Sequence, residues 1–304
     1  MIYLDYASTT PIRKEVLETY TMLLHKYYGN SDSLHEIGRE TSKLMEQSRA
    51  QIAQLLHVHK DEIIFTSCAS ESNNYAIKGF AWQNKRRGNH IISSCVEHSS
   101  VSMALEQLKE VFGFEITYLP VYEDGKIRLD DLKKALRKDT ILVSIMMVNN
   151  ETGAINPIKE CADYVHKNSR AFFHVDGVQA LGKVDIPLES VDMATFSAHK
   201  IYGVKGSAIL YKKSNIELLP LISGGQQEYG LRAGTSNAPA NIIFAKTLRL
   251  MLEEKDKNLI YVQKLNEVLR KEISNMEDMV INSPEDASPY ILNKPPLKIG
   301  SDLP

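Results

Sequence analysis

The residues best placed for chemistry are Asp176 and Lys200. Each stands just beyond a short apolar run, AFFHV (171–175) before the acid and DMATFSA (192–198) before His199-Lys200. In an α/β sheet the C-terminal ends of strands face the ligand crevice, so an acid and an amine placed there meet across it. An amine in such a crevice forms a Schiff base with an aldehyde. A carboxylate opposite it keeps a pyridine nitrogen protonated, so that the ring takes up electrons. Those two roles suit pyridoxal phosphate. Taken alone, the acid also reads as a helix N-cap and the lysine as solvated surface. The neighbours add weight: Ser197 and His199 flank the lysine, Gln179 lies three residues past the acid, and Gly203 and Gly206 let the chain turn tightly beyond the amine.

Positioning them requires a regular framework, and the apolar pattern supplies one. Strands are expected at 62–67, 90–95, 114–121, 140–148, 171–175, 192–198 and 207–213. Helices are expected from Ile12 onward and over 39–56, 74–83, 99–113, 129–137 and 157–169. This alternation predicts an α/β fold with a mostly parallel sheet covered on both faces. Beyond Ala240, apolar residues recur at helical spacing (Ala245, Leu248, Leu252, Leu259, Val262, Leu269, Ile273), with a break expected near Asp256–Asn258. The last thirty or so residues carry too little apolar pattern to complete a domain.

The bulk properties exclude several classes. A chain of 304 residues with net charge −2 and 43% hydrophobic residues has the composition of an ordinary globular protein. Scattered lysines give no nucleic-acid footprint, and the longest apolar run, 141–148, is far too short for a bilayer. No metal site and no membrane or nucleic-acid partner is expected. Three cysteines, Cys68, Cys95 and Cys161, argue against a disulfide framework and for a reducing, cytoplasmic setting.

The strings HVDGVQ (174–179) and TFSAHKIYGVKG (195–206) resemble the class-V aminotransferase-type enzymes and, within them, the cysteine desulfurases. The resemblance runs from about residue 2 to about residue 293. It implies a fold-type I pyridoxal-phosphate enzyme with a seven-stranded-type sheet. Its parts would be an N-terminal arm (1–14), a coenzyme-binding large domain (15–245) and the start of a small C-terminal domain (246–304).

Site residues follow from the same likeness. Lys200 would be the Schiff-base lysine and Asp176 the partner of the pyridine nitrogen. His98 would stack on the ring and count with Lys200 as catalytic. Asn150 and Gln179 would reach the ring oxygen. Ala69 and Ser70, in the loop TSCASESNN (66–74), and Ser197 and His199 would hold the phosphate. Cys68 stands where the family has glycine. Thr235, in GLRAGTSN (230–237), would cross a homodimer interface to the neighbouring subunit's coenzyme. The segment DYASTTP (5–11) would border the substrate pocket without a catalytic role. By local signal alone, 66–74 reads as an N-cap turn, 148–153 also as a polar turn, 230–237 as a surface loop and His98 as a satisfied core residue.

The implied reaction converts cysteine to alanine and hands the sulfur to a thiol acceptor, such as a sulfur-acceptor protein, for iron–sulfur cluster or thio-cofactor assembly. None of the three cysteines occupies the family's persulfide position, and Ile291-Leu292-Asn293 is followed by KPPLKIGSDLP rather than by the family's substrate-binding arginine region. The expectation is therefore a chain lacking the family's C-terminal part, with impaired sulfur transfer. Other class-V activities (selenocysteine lyase, aminotransferase) and a coenzyme-binding scaffold without turnover share the same residues.

Overall fold

The computed structural model describes residues 2–277 and 279–294; the expected small-domain residues 295–304 lie outside them. Two helices open the chain, α1 (Lys14–Lys26) and α2 (Glu36–Leu56). Then come β1 (Ile63–Thr66), α3 (Ala69–Asn74), a widened turn over Tyr75–Gly79, α4 (Phe80–Asn84), β2 (His90–Ser94) and α5 (Ser99–Phe112). The order continues with β3 (Glu115–Leu119), α6 (Leu129–Ala135), β4 (Thr140–Met146) and α7 (Ile158–Asn168). It closes with β5 (Phe172–Asp176), β6 (Met193–Ser197), β7 (Ala208–Lys212), α8 (Ala238–Glu253) and α9 (Lys255–Ser274).

The seven strands form one sheet in the order β1-β7-β6-β5-β4-β2-β3. Pairing is parallel from β6 through β5, β4 and β2 to β3, whereas β7 runs antiparallel to both β6 and β1. Every residue of β4 is buried, because helices cover both faces of a parallel strand and leave no solvent side to alternate with. α2 and α8 pack together, and Ile52, Leu248 and Met251 join the core beneath the sheet.

Among the boundaries that differ from expectation are three in helices. The helix expected from Asn74 begins at Ala69, because the polar Ser72 and Asn73 are buried and conceal its apolar periodicity. Helix α2 starts at Glu36, capped by the His35 ring, which accepts the Gly38 N–H at 3.2 Å. The C-terminal helical stretch breaks at Glu254 rather than at 256–258.

Inside the sheet, His174 is fully buried between Ser144 Oγ (2.9 Å to Nδ1) and Thr195 Oγ1 (3.1 Å to Nε2). Burial pushes its pKa down to about 3. The unfolded ring, near 6.5, takes up a proton first, so this group's stability is complete above 6.5 and is lost as pH falls through that value towards 3. Acidifying from pH 7 to 5 should therefore cost on the order of 2 kcal/mol. Urea midpoints should show that loss in the natural protein and a much smaller one in His174→Gln.

Candidate active site

Five strand ends converge on one pocket of about 470 Å³, a size that suits a coenzyme-sized ligand. The loop after β1 brings Cys68, Ala69, Ser70 and Asn73, and the one after β2 brings His98. Beyond β4 stand Asn150 and Glu151, at the end of β5 stand Asp176 and Gln179, and past β6 stand His199 and Lys200. Asp176 and Lys200 thus line the same cavity, as the paired strand-end reading requires.

Backbone geometry fixes the amine. After Ser197 the chain makes a tight turn over Ala198–Lys200, and Tyr202 takes up φ 66°. The N-terminal arm straps this turn: Thr10 N–H donates to the His199 carbonyl (2.9 Å), and Thr10 Oγ1 accepts the Tyr202 N–H (2.7 Å). Lys200 Nζ donates to the carbonyls of Ala7 and, at 2.7 Å, Ser8. Burial lowers the Lys200 pKa, opposed by the charges of Asp5, Asp176 and Glu151. A lowered pKa keeps more of the amine unprotonated, and hence nucleophilic, at neutral pH. His199 is pushed down to about 4 by burial and then by Lys200, Lys205 and Lys183. It is a neutral ring at physiological pH, with Nδ1 3.1 Å from Thr9 Oγ1.

The carboxylate is held from two sides. Asp176 Oδ1 accepts the Val178 N–H at 3.0 Å, and Oδ2 accepts from Asn73 Nδ2 at 2.8 Å. Burial raises its pKa, while those two donors and then His98 and Lys200 work against the rise. Glu97 lies nearby, its carboxyl enclosed although the residue as a whole is half-buried. Burial pushes it up to about 8; Ser94 and the Met146 N–H oppose that, and the Asp176 charge adds to it. Burial, with the Asp176 charge added to it, thus favours the protonated form of Glu97 at neutral pH.

Directly after the acid, the backbone comes so close to the sheet that a Cβ on Gly177 would sit 2.4 Å from the Phe196 ring. Gly177→Ala should therefore shift the strand end and cost about 1–3 kcal/mol, read as a lowered thermal midpoint with a parallel loss of ligand affinity in the pocket.

The model of the aminotransferase class-V family matches residues 2–294. The chain belongs to the class-V aminotransferase family. It is 46% identical over 297 residues to a NifS/IcsS protein homolog of Lactobacillus delbrueckii subsp. bulgaricus, covering 96% of this chain and 77% of that protein. With the cysteine desulfurase IscS of Dictyoglomus turgidum it shares 45% identity, covering 93% of this chain and 72% of the relative. Among solved structures, a NifS-like protein superposes with a TM-score of 0.91 at 38% identity, covering 94% of this chain and 79% of that one. A structure described as SspA in complex with cysteine superposes at 0.84 and 34% identity, covering 95% and 82%.

Pyridoxal phosphate, the coenzyme associated with this family, finds a fitting donor set here. Ser197 Oγ, next to the Lys200 turn, is buried without a hydrogen-bond partner among the described residues. Asp176 and Lys200 line the same pocket, and Ala69 and Ser70 open a helix at its edge, where first-turn N–H groups suit an anion. Asn150 lines the pocket, with its amide nitrogen on Glu151 at 2.7 Å. Gln179 also lines it, but its amide is engaged at both ends, donating to Ala7 O at 2.8 Å and accepting from Lys183 at 3.2 Å.

Two expected phosphate residues do not line the cavity. Ser197 lies behind it, and Thr235 stands apart beside Tyr28 and Asn30. Of the cysteines, Cys68 alone lines the pocket; Cys95 is exposed elsewhere, and burial pushes the Cys161 thiol up to about 12. Sequence reasoning missed Asn73, Glu97 and the arm's two carbonyls. The Glu-His pair at 97–98 was a usable signal for Glu97; a backbone carbonyl has none.

Proposed function

We propose that this protein is a pyridoxal-phosphate-dependent cysteine desulfurase that converts L-cysteine to L-alanine. The observation that carries the reading is the shared pocket of Lys200 and Asp176, in a chain whose relatives carry the desulfurase name. When bound, the coenzyme supplies an electron sink for the carbanion formed at the substrate Cα. Lys200 would hold the coenzyme and then move the Cα proton. Asp176 would pair with the ring nitrogen, and His98 would cover the ring. Ala69, Ser70 and His199 would surround the phosphate, with Asn150 and Gln179 at the ring oxygen. In balance, cysteine and a thiol R–SH give alanine and the persulfide R–S–SH. The acceptor thiol could belong to a protein serving iron–sulfur cluster assembly.

A homodimer is part of this reading. Thr235 lies outside its own pocket, beside Tyr28 and Asn30, and Tyr28 and Leu34 are 71% and 86% exposed, which suits a surface shared with a second copy. Three free thiols suit a cytoplasmic setting. The division into an arm (1–14), a coenzyme-binding body (15–245) and the start of a small domain (246–304) belongs to it too, although α8 runs through 245 to Glu253.

The test is an assay of the purified protein, loaded with coenzyme, for sulfide and alanine from L-cysteine under reducing conditions. Stoichiometric alanine and sulfide are expected. Alanine formed only from pyruvate and a donor amino acid would make it an aminotransferase. Bound coenzyme with neither product would make it a scaffold.

A further inference from the structure

One side chain touches both ends of the site without lining up as acid, base or anion ligand. Asn73 is fully buried on α3, yet its amide reaches the pocket. Its Nδ2 donates to Asp176 Oδ2 at 2.8 Å and to Ser100 Oγ at 2.9 Å. Ser100 Oγ in turn lies 2.8 Å from His98 Nδ1, and the Ser100 N–H donates to the same nitrogen at 3.2 Å.

The direction of every bond in this chain can be worked out from its charged end. A carboxylate only accepts, so the amide must present its NH2 to Asp176. Turned over, Asn73 would set its oxygen against the carboxylate. The amide accepts this orientation although it leaves Oδ1 buried and without a partner, an arrangement that costs free energy. With one N–H on Asp176, the other falls on Ser100 Oγ. That oxygen is then an acceptor towards Asn73, and its own hydrogen is left to donate to His98 Nδ1. The imidazole nitrogen on this side therefore receives two donors and carries no hydrogen.

We propose that Asn73 is a positioning residue that holds Asp176 and, through Ser100, fixes His98 as its Nε2–H tautomer. His98 Nε2, which has no partner among the described residues, is thereby the ring's donor towards whatever occupies the pocket. His98 covers a bound ring with a defined hydrogen, and the Asp176 carboxylate is held in register with it by the same amide. In its consequences for turnover this inference rests on the coenzyme reading; in its geometry it does not.

The decisive measurement needs no coenzyme. In 15N-histidine-labelled protein, at a pH where His98 is neutral, its two ring nitrogens should report almost pure Nε2–H. Asn73→Ala should raise the Nδ1–H form about five-fold, the worth of one ordinary hydrogen bond, and should weaken pyridoxal phosphate binding about ten-fold as Asp176 loses its donor. Ser100→Ala should raise the Nδ1–H form too but leave coenzyme affinity within about two-fold, because the Asn73–Asp176 bond remains. If Asn73→Ala does not fold, the Ser100→Ala pair of readouts carries the test. A tautomer ratio unchanged in a folded variant overturns the proposal. Failure of the natural protein to bind coenzyme, with the tautomer shifts intact, would instead overturn the functional reading.

Discussion

Lys200→Ala should reduce alanine formation from cysteine by at least about a thousand-fold, and bound pyridoxal phosphate should no longer be fixed to the protein by borohydride. The expectation rests on where the amine sits. Lys200 Nζ is drawn out of water into a pocket faced by Asp176, its pKa lowered chiefly by burial. Among the described lysines it alone lines that pocket. Lys200→Arg separates charge from chemistry. A guanidinium still donates to the carbonyls of Ala7 and Ser8, but it does not deprotonate near neutral pH. Both variants should therefore fold, bind coenzyme reversibly and lose turnover alike. Activity within ten-fold of the natural protein in either one would remove Lys200 from the mechanism.

Arg49→Ala should cost the fold about 3–5 kcal/mol, read as a lowered urea midpoint. The Arg49 guanidinium is 2% exposed and forks onto Glu228 at 2.7 and 2.8 Å, while also donating to the Ile63 carbonyl at 2.6 Å. Burial disfavours its charge, but the hydrogen bonds and charge of Glu228, and then the charge of Glu46, raise its pKa. Glu228 accepts the Phe65 N–H at 2.8 Å as well. Removing the arginine strands a carboxylate in the interior, which is costlier than the pair was favourable. The loop also depends on the pair. Glu228 and Tyr229 stand at φ 49° and 61°, left-handed values that residues with side chains adopt only when surroundings insist. The same loop sends Arg232 onto Glu71 at 2.8 Å, and Glu71 accepts the Ser67 N–H beside the expected phosphate loop. Loss of coenzyme affinity should therefore accompany loss of stability. Arg49→Met with Glu228→Leu should recover much of the stability, since a buried pair replaced by apolar groups of similar volume is often neutral. A midpoint change in Arg49→Ala worth under about 1 kcal/mol would contradict the argument.

Much of this arrangement is legible in the sequence alone. Each of the seven strands falls within two residues of its apolar run, because strands buried on both faces read as continuous hydrophobic stretches. Asp176, Lys200, His98 and Asn150 were legible because polar residues just past such runs sit at strand ends, where the pocket lies. The antiparallel direction of β7 was not, since an apolar run has no polarity. Nor was Asn73, whose partner Asp176 is 103 residues away; nothing in ESNN separates a buried amide from a helix-surface one. The arm's grip on Lys200 uses main-chain oxygens, which every residue possesses, so no residue type announces it.

The reversal at β7 has its own implication for how this family can vary. The turn bearing Lys200 is sewn shut behind it: Ser197 pairs with Ala208, and the Ala198 N–H reaches Ser207 O at 3.1 Å. The crossovers between parallel neighbours are long excursions around a sheet face, and they absorb added residues without disturbing the strands they join. This one is a closed staple with no slack. An inserted residue here has nowhere to go except outward as a blister or inward against the amine, so length polymorphism should be borne by every other crossover before this one.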